Sequence, residues 1–297
     1  MRDLEDPRIY RHVLETLPVG VHLADRERRI FFWNDGAERI TGYLRHDVIG
    51  RFCREDILVH EDEKDAASEV RALLAETLHD GKTREIRVYV RHREGHRVPV
   101  HLTVIAVRDA HGTIIGAAEI LEEQSFAPLP EGLRGQLAEC GGLDFVTGIP
   151  NHWLTQARLL EHHAGFADHG LTYSVLGIEI NELEHFREAH GCQASDAILR
   201  VVAHTVRNLL SPADFLGRWS PDEFIAILLH SGEAALRKTA ESIRKMVQLS
   251  GIRWWGDELT VSVSLGMAAP SRGETLASVL ERMTLSLKSP GGLNQAP

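Results

Sequence analysis

The sequence predicts a mixed α/β (α+β) protein of two domains, and three observations predict it. Composition shifts sharply once, at 126–143, where two prolines and four glycines interrupt two well-patterned regions. The region before this break orders as two short strands, small helical pieces, one longer helix and a three-stranded meander, which makes a five-stranded antiparallel sheet with short helices. The region after it alternates strands with amphipathic helices, which makes a central sheet flanked by helices. A chain of 297 residues is long enough for each domain to have its own core.

The N-terminal region opens with a helical segment from Tyr10 to Leu17, where Ile9, Val13, Leu14 and Leu17 lie on one apolar stripe. Strands follow at Gly20–Ala24 and Ile30–Asn34, separated by the charged turn Asp25-Arg26-Glu27-Arg28. Short helices are predicted at Glu38–Gly42 and Arg45–Ile49, then a longer one from Lys64 to His79 that Asp80-Gly81 stops. The meander is Glu85–His92, His96–Val107 and Ile114–Leu121, with turns at Arg93-Glu94-Gly95 and around Gly112. The break at 126–143 is a linker holding at most a short helix around Leu133–Glu139.

Beyond the linker come a helix after Asn151, a strand Tyr173–Asn181, a short helix and the amphipathic helix Ala194–Leu210. Two apolar runs, Phe215-Leu216-Gly217 and Phe224 to Leu229, then bracket Arg218-Trp219-Ser220-Pro221-Asp222-Glu223, which reads as a β-hairpin tip carrying two adjacent carboxylates. A helix Glu233–Leu249, a strand Leu259–Ala268 and a helix Leu276–Lys288 complete the order.

Bulk properties narrow the function. A net charge of −10 and a pI near 5.9 argue against a nucleic-acid surface, which needs a basic face. No apolar run approaches a membrane span and the N-terminus is no signal peptide; with Cys53, Cys140 and Cys192 scattered and odd in number, a reducing cytoplasm is the expected setting. The 17 histidines read mostly as surface residues. His92 and His96 bracket a turn and do not share a helix face, and His162-His163 diverge, so their spacing predicts no metal site. Cys53 reads as a small buried residue, and His79 as a cation suited to a helix C-terminus.

Four phrases in the first region carry a resemblance: Leu17-Pro18-Val19-Gly20-Val21, Trp33 to Tyr43, Val48-Ile49-Gly50-Arg51 and Gly95-His96-Arg97-Val98-Pro99-Val100. Together with the element order they resemble a PAS domain over residues 8–122. The resemblance implies a sensor whose ligand stays unknown, and PAS pairing through the opening helix and sheet face implies a homodimer.

The second region resembles a GGDEF domain, the diguanylate cyclase family, with a nucleotide-cyclase palm fold. Asp144-Phe145-Val146-Thr147-Gly148-Ile149-Pro150-Asn151 is similar to the family's D-x-L-T-G-L-P-N, Thr260 to Gly266 to its v-T-v-S-i-G, and the hairpin tip to R-x-G-G-(D/E)-E-F. The resemblance implies GTP and Mg²⁺ as ligands. It assigns the metal to Glu179, Ile180, Asp222 and Glu223, with Glu223 and Asp222 catalytic in an active enzyme, and the nucleotide to Asp196, Arg187, Glu184, Lys288, Ser220 and Pro221.

The same alignment shows departures. Ser220 and Pro221 replace two glycines, and proline fixes φ and has no N–H, so the turn must differ. Glu179 replaces an Asp, Glu184 a Lys that faces the triphosphate, and Arg187 an Asn that reads guanine. An anion for a cation beside phosphates costs on the order of several kcal/mol. Ser211-Pro212-Ala213-Asp214 lacks the arginine of the product-inhibition motif, and Lys288-Ser289-Pro290-Gly291-Gly292 keeps the lysine of K-x-x-G-R but not its arginine. The reading is a PAS sensor at 1–125, a linker at 126–143 and a degenerate GGDEF domain at 144–297, in cyclic di-GMP signalling. Its output acts through protein contacts or weak nucleotide binding; the alternative is an active cyclase joining two GTP with Mg²⁺.

Overall fold

A computed structural model describes residues 7–52, 58–59, 66–124, 141–229, 232–254 and 257–288. Cys53, Cys140, the helix expected at 133–139 and Ser289 to Gly292 lie outside them. The chain divides into two compact units at residue 125.

The first unit begins with helix α1 (Pro7–Thr16), whose proline suits the first helical turn because that N–H needs no partner. Strands β1 (Gly20–Asp25) and β2 (Ile30–Trp33) form a hairpin, and short helices α2 (Asp35–Thr41) and α3 (Arg45–Val48) follow. Then come β3 (Leu58–Val59), helix α4 (Ala66–Asp80) and the long meander β4 (Arg84–Arg91), β5 (Arg97–Arg108) and β6 (Ile114–Glu123). The antiparallel sheet runs β2-β1-β6-β5-β4-β3. Five strands are those expected; β3 is an added two-residue edge, too short to leave an alternation pattern in the sequence.

Asn34 shows why the Trp33-Asn34 phrase matters. Its side chain is fully buried, and Oδ1 accepts the N–H groups of Val21 at 2.7 Å and Ala37 at 2.8 Å. Its Nδ2 donates to the carbonyls of Leu14 and Val19, so one amide caps α2 and ties it to β1 and the end of α1. The covered face of the sheet carries Val88, Val90, Val98, Val100, Leu102, Val104, Ala117 and Leu121 against Ile40 and Leu74. Each such side chain contributes about 1.5–3 kcal/mol when fully buried.

That face also holds a polar pair. His22 and Glu119 are cross-strand partners on β1 and β6, and Nε2 meets Oε2 at 2.8 Å with both side chains almost fully buried. Trp33 lies beside the imidazole, ring centroids 5.2 Å apart. The histidines are therefore not uniformly superficial: His22 and His96 are both buried. His79 is exposed near the end of α4, in keeping with its expected place at a helix C-terminus.

In the second unit helix α5 (His152–His169) starts at Asn151, whose Oδ1 caps Leu154 N–H at 3.1 Å. Strand β7 (Tyr173–Ile180), helices α6 (Leu183–His190) and α7 (Cys192–Leu209), hairpin β8 (Phe215–Arg218) and β9 (Glu223–Leu229), and helix α8 (Glu233–Gln248) follow. The strand expected at 259–268 is two pieces. Strand β11 (Asp257–Thr260) pairs with β10 (Gly251–Trp254) in a separate ribbon, and only β12 (Val263–Ala268) joins the central sheet. The break falls where the Ser262 carbonyl accepts Asn181 N–H at 3.0 Å; a continuous apolar alternation gave no sign of it. The central sheet runs β12-β7-β9-β8, all antiparallel, and helix α9 (Leu276–Lys288) covers one face.

The strand β7 reads as a continuous apolar run because it is buried on both faces: Leu176, Ile178 and Ile180 face α7 and α8, Tyr173 and Val175 face α9. Gly177 and Gly266, paired across β7 and β12, let α9 approach closely. A Cβ at Gly266 would lie 2.3 Å from the Met283 carbonyl oxygen, a backbone atom that cannot swing aside. Gly266→Ala is expected to destabilise the second unit by about 2 kcal/mol through overpacking, seen as a lower urea midpoint.

Candidate functional site

The β7–β9 register assembles the site. Glu179 is directly opposite Glu223, and Ile180 N–H donates to the Asp222 carbonyl at 2.9 Å. Opposed residues on neighbouring strands share a face with side chains about 4.5–5.5 Å apart at Cβ. Two carboxylates held that close repel. Burial first, then Glu179 and Asp222, push Glu223 up from 4.5 to about 7, while the Lys288 ammonium pulls the other way. Ile180 is 2 % exposed, and its apolar side chain has no donor atom; only its backbone carbonyl could meet a metal.

The tip between β8 and β9 is closed on itself. Arg218 Nε donates to the Ser220 carbonyl at 2.7 Å, and Nη2 donates to the Pro221 carbonyl. Ser220 Oγ donates to Asp222 Oδ1 at 2.8 Å. Trp219 and Ser220 N–H groups both donate to the Glu223 carbonyl, at 2.8 and 3.2 Å. Burial lowers Arg218, and the carboxylates of Asp144, Asp222 and Asp196 oppose that. Asp196 on α7 thus belongs to the electrostatic surroundings of the tip.

The segment around Asp144 is the tip's support. Asp144 Oδ1 accepts Thr147 N–H at 2.9 Å and its hydroxyl at 2.6 Å, and lies 3.8 Å from Arg218 Nη1. Arg218 N–H donates to the Pro150 carbonyl at 2.7 Å, and His152 Nδ1 meets the Trp219 carbonyl at 2.7 Å. These contacts explain a family phrase that carries no reacting group.

Glu184 and Arg187 are not gathered with the carboxylates but bond each other on the exposed side of α6. The charge of Glu184 has a local counterweight. Its charge is compensated one helical turn away by Arg187, which Glu184 pulls above its ordinary value, so the pair presents little net field. The two substitutions are coupled because a helix places i and i+3 side by side. Lys288 ends α9 and is exposed.

Two groups escaped the sequence reading. Asn181 sits beside Glu179 and Ile180, its Nδ2 donating to Ser262 Oγ at 2.9 Å and its Oδ1 accepting from Ser264 Oγ at 2.8 Å. Glu182 holds φ at 58°, a left-handed conformation strained for a residue with a side chain. Asp214 also has a local role: its two oxygens accept Ser211 and Leu229 N–H groups, both at 2.9 Å.

The donor set fits a hard dication. Glu179 and Glu223 with the Ile180 carbonyl would hold Mg²⁺ through oxygens, and a dication would offset the burial and the repulsion that together raise Glu223. The closed tip fits a nucleotide less well, because Ser220 and Pro221 fill the place of two glycines and Asp222 already accepts from Ser220.

A four-stranded antiparallel sheet flanked by helices, with carboxylates converging from one strand end and one hairpin tip, defines a nucleotide-cyclase-type palm domain. Residues 142–289 match the family "Diguanylate cyclase, GGDEF domain", and residues 8–121 match the PAS fold. The chain carries a PAS domain followed by a GGDEF domain. It is 28% identical over 158 residues to diguanylate cyclase A of Treponema denticola, covering 52% of this chain and 43% of that protein. It is 26% identical over 144 residues to diguanylate cyclase DgcP of Pseudomonas aeruginosa, covering 48% and 22%. The GGDEF domain of DgcB from Caulobacter crescentus, solved in complex with c-di-GMP, is 25% identical with a TM-score of 0.48, over 49% of this chain and 87% of that one. The chain spans less than half the length of these two curated relatives. Among the described residues no helix is long and apolar enough to cross a membrane.

The raised Glu223 has a pH signature. The folded state keeps a proton that the unfolded chain loses above its ordinary 4.5, so this group costs stability as pH rises from about 4.5 and the cost is complete above about 7. Glu223→Gln is expected to stabilise the protein at pH 8 by about 1 kcal/mol, a figure discounted for partial solvation, and hardly at all at pH 5. Urea denaturation at the two pH values checks it.

Proposed function

We propose that this chain is a signalling protein of the cyclic di-GMP system in which a PAS sensor, residues 1–125, is joined through a linker at 126–143 to a GGDEF domain, residues 144–297, that has kept its metal-binding carboxylates and lost cyclase chemistry. The closed tip carries this reading: Arg218, Ser220, Pro221 and Asp222 satisfy one another where the family leaves two glycines for the nucleotide. The Glu184–Arg187 pair adds to it, since neither side chain is left as a cation toward phosphates or as an amide toward guanine. Ser211 supplies no guanidinium, and Asp214 is engaged by backbone, so inhibition by cyclic di-GMP at that position is lost as well. The output then works through protein contacts, or through weak nucleotide binding that changes them.

Incubation of the purified protein with GTP and Mg²⁺ or Mn²⁺ is expected to form no cyclic di-GMP. The second reading, an active cyclase, is favoured by the gathering of Glu179, Asp222, Glu223 and Lys288; turnover abolished by Glu223→Gln would falsify the first and establish it.

Self-association through the PAS half completes the reading. On α1, Ile9 and Val13 are exposed while Leu14 and, just beyond the helix, Leu17 are half-buried, so part of the apolar stripe stays open for a second copy. Light scattering is expected to give a dimer for the full chain and a monomer for a fragment beginning at Asp144. A monomeric full chain sinks this assembly.

A further inference from the structure

The turn between β4 and β5 gathers three side chains that the nucleotide site does not use. His92 follows the last residue of β4, and His96 precedes the first of β5. Their backbones close the hairpin: His92 N–H donates to the His96 carbonyl at 2.9 Å, and Gly95 N–H to the His92 carbonyl at 2.8 Å. Arg91 is in register with Arg97, so the next pair outward is His92 opposite His96. Directly opposed residues share a face, and this face is the one that carries Val90 and Val98 into the core. The two imidazoles stack, with centroids 4.2 Å apart and planes at 23°.

The pair brackets a turn, as the sequence implies, and shares no helix face. Residues i and i+4 also meet when they flank a tight turn, and the ligand atoms of His92, Glu94 and His96 all lie within 4.8 Å of one another. The surroundings hold them there. A Cβ on Gly42 would come within 2.5 Å of the His92 ring, so a glycine at this helix end leaves the ring its room. Arg93 is tied to the body of the domain by its N–H to the Thr41 carbonyl at 2.8 Å and by its guanidinium to Asp47 at 3.1 Å. Glu94 N–H donates to His92 Nδ1 at 3.2 Å, and the Glu94 carboxylate lies 3.9 Å from that nitrogen. A nitrogen that accepts carries a lone pair, which is the ligating form of imidazole.

We propose that His92, Glu94 and His96 bind a first-row transition-metal dication of the Zn²⁺ type, through two imidazole nitrogens and one carboxylate oxygen. Mixed nitrogen and oxygen donors suit zinc and its neighbours, whereas Mg²⁺ prefers oxygen alone. Tetrahedral coordination at about 2.0–2.1 Å places ligand atoms roughly 3.4 Å apart, so the three groups close by about an ångström. Glu94, which is exposed on the turn, supplies part of this by a rotamer change, and the stacked rings turn their lone pairs toward the ion by rotation about χ2. The fourth position opens to solvent on the Glu94 side. Bound metal stiffens the hairpin that joins the first two strands of the PAS meander, β4 and β5.

Titration of the full chain with ZnCl₂ in excess MgCl₂, followed by calorimetry, tests the site. One Zn²⁺ per chain is expected in the micromolar range, with Co²⁺ in its place giving the visible bands of tetrahedral cobalt. His96→Gln and Glu94→Gln should each weaken binding about tenfold or more, whereas Glu223→Gln leaves it unchanged. Because His96 is buried, Glu94→Gln on the exposed turn carries the test should the other variant fail to fold. Absence of Zn²⁺ binding, or binding that Glu94→Gln leaves intact, overturns the proposal.

Discussion

The antiparallel pairing of β7 with β9 is the constraint on which the C-terminal unit depends. One ladder does two tasks at once. Its middle, from Val175 to Ile178 and Phe224 to Ile227, is buried on both faces and forms the floor of two cores. Its end sets Glu179 against Glu223. A slip of one residue would turn every side chain to the opposite face, so the apolar middle enforces the register that brings the carboxylates together. Burial that stabilises the fold is also the largest cause of the raised Glu223. Stability and chemistry are coupled through the same strand, and a dication would relieve the tension between them.

Around that ladder, substitutions at the hairpin tip have been absorbed by local hydrogen bonding. Arg218 reaches two carbonyls of its own turn, the Ser220 hydroxyl reaches Asp222, and Asp144 supports the arginine from the segment before α5. Most polar groups of the tip thus find partners within the chain, while Arg218 Nη1 makes no hydrogen bond among the described residues and lies 3.8 Å from Asp144. The same economy governs α6, where Glu184 and Arg187 neutralise each other, and Asp214, whose oxygens hold two backbone N–H groups.

In the PAS unit the physical logic is different. The meander is legible because alternation along β4, β5 and β6 puts valines and leucines on one face. That face is not wholly apolar, since it admits the His22–Glu119 pair beside Trp33 and, at the hairpin end, the stacked His92 and His96. A charged or polar pair that is almost fully buried persists only when its partner is in place, and breaking it by removing one side costs about 3–5 kcal/mol. The PAS unit thus carries its polar groups inside the sheet face, and the GGDEF unit carries them at a strand end.

The sequence by itself determined both folds and most element positions, because periodicity, glycine stops and family phrases are local signals: Asn34, Gly42 and the Asp144–Asn151 phrase each mark a turn or cap by their own chemistry. It also determined which residue types stand at the candidate site, from Glu179 to Lys288. Tertiary structure alone decided how they combine. That Glu184 and Arg187 cancel, that Ser220 engages Asp222, and that the strand expected at 259–268 splits at Ser262 all depend on neighbours in space. The histidines make the contrast sharpest. His22 meets Glu119 across strands distant in sequence, and His92 meets His96 only because a tight turn folds the chain back on itself. Sequence spacing fixes a distance along the chain; whether that becomes a distance in space depends on the backbone path between, which hydrogen bonding and packing select.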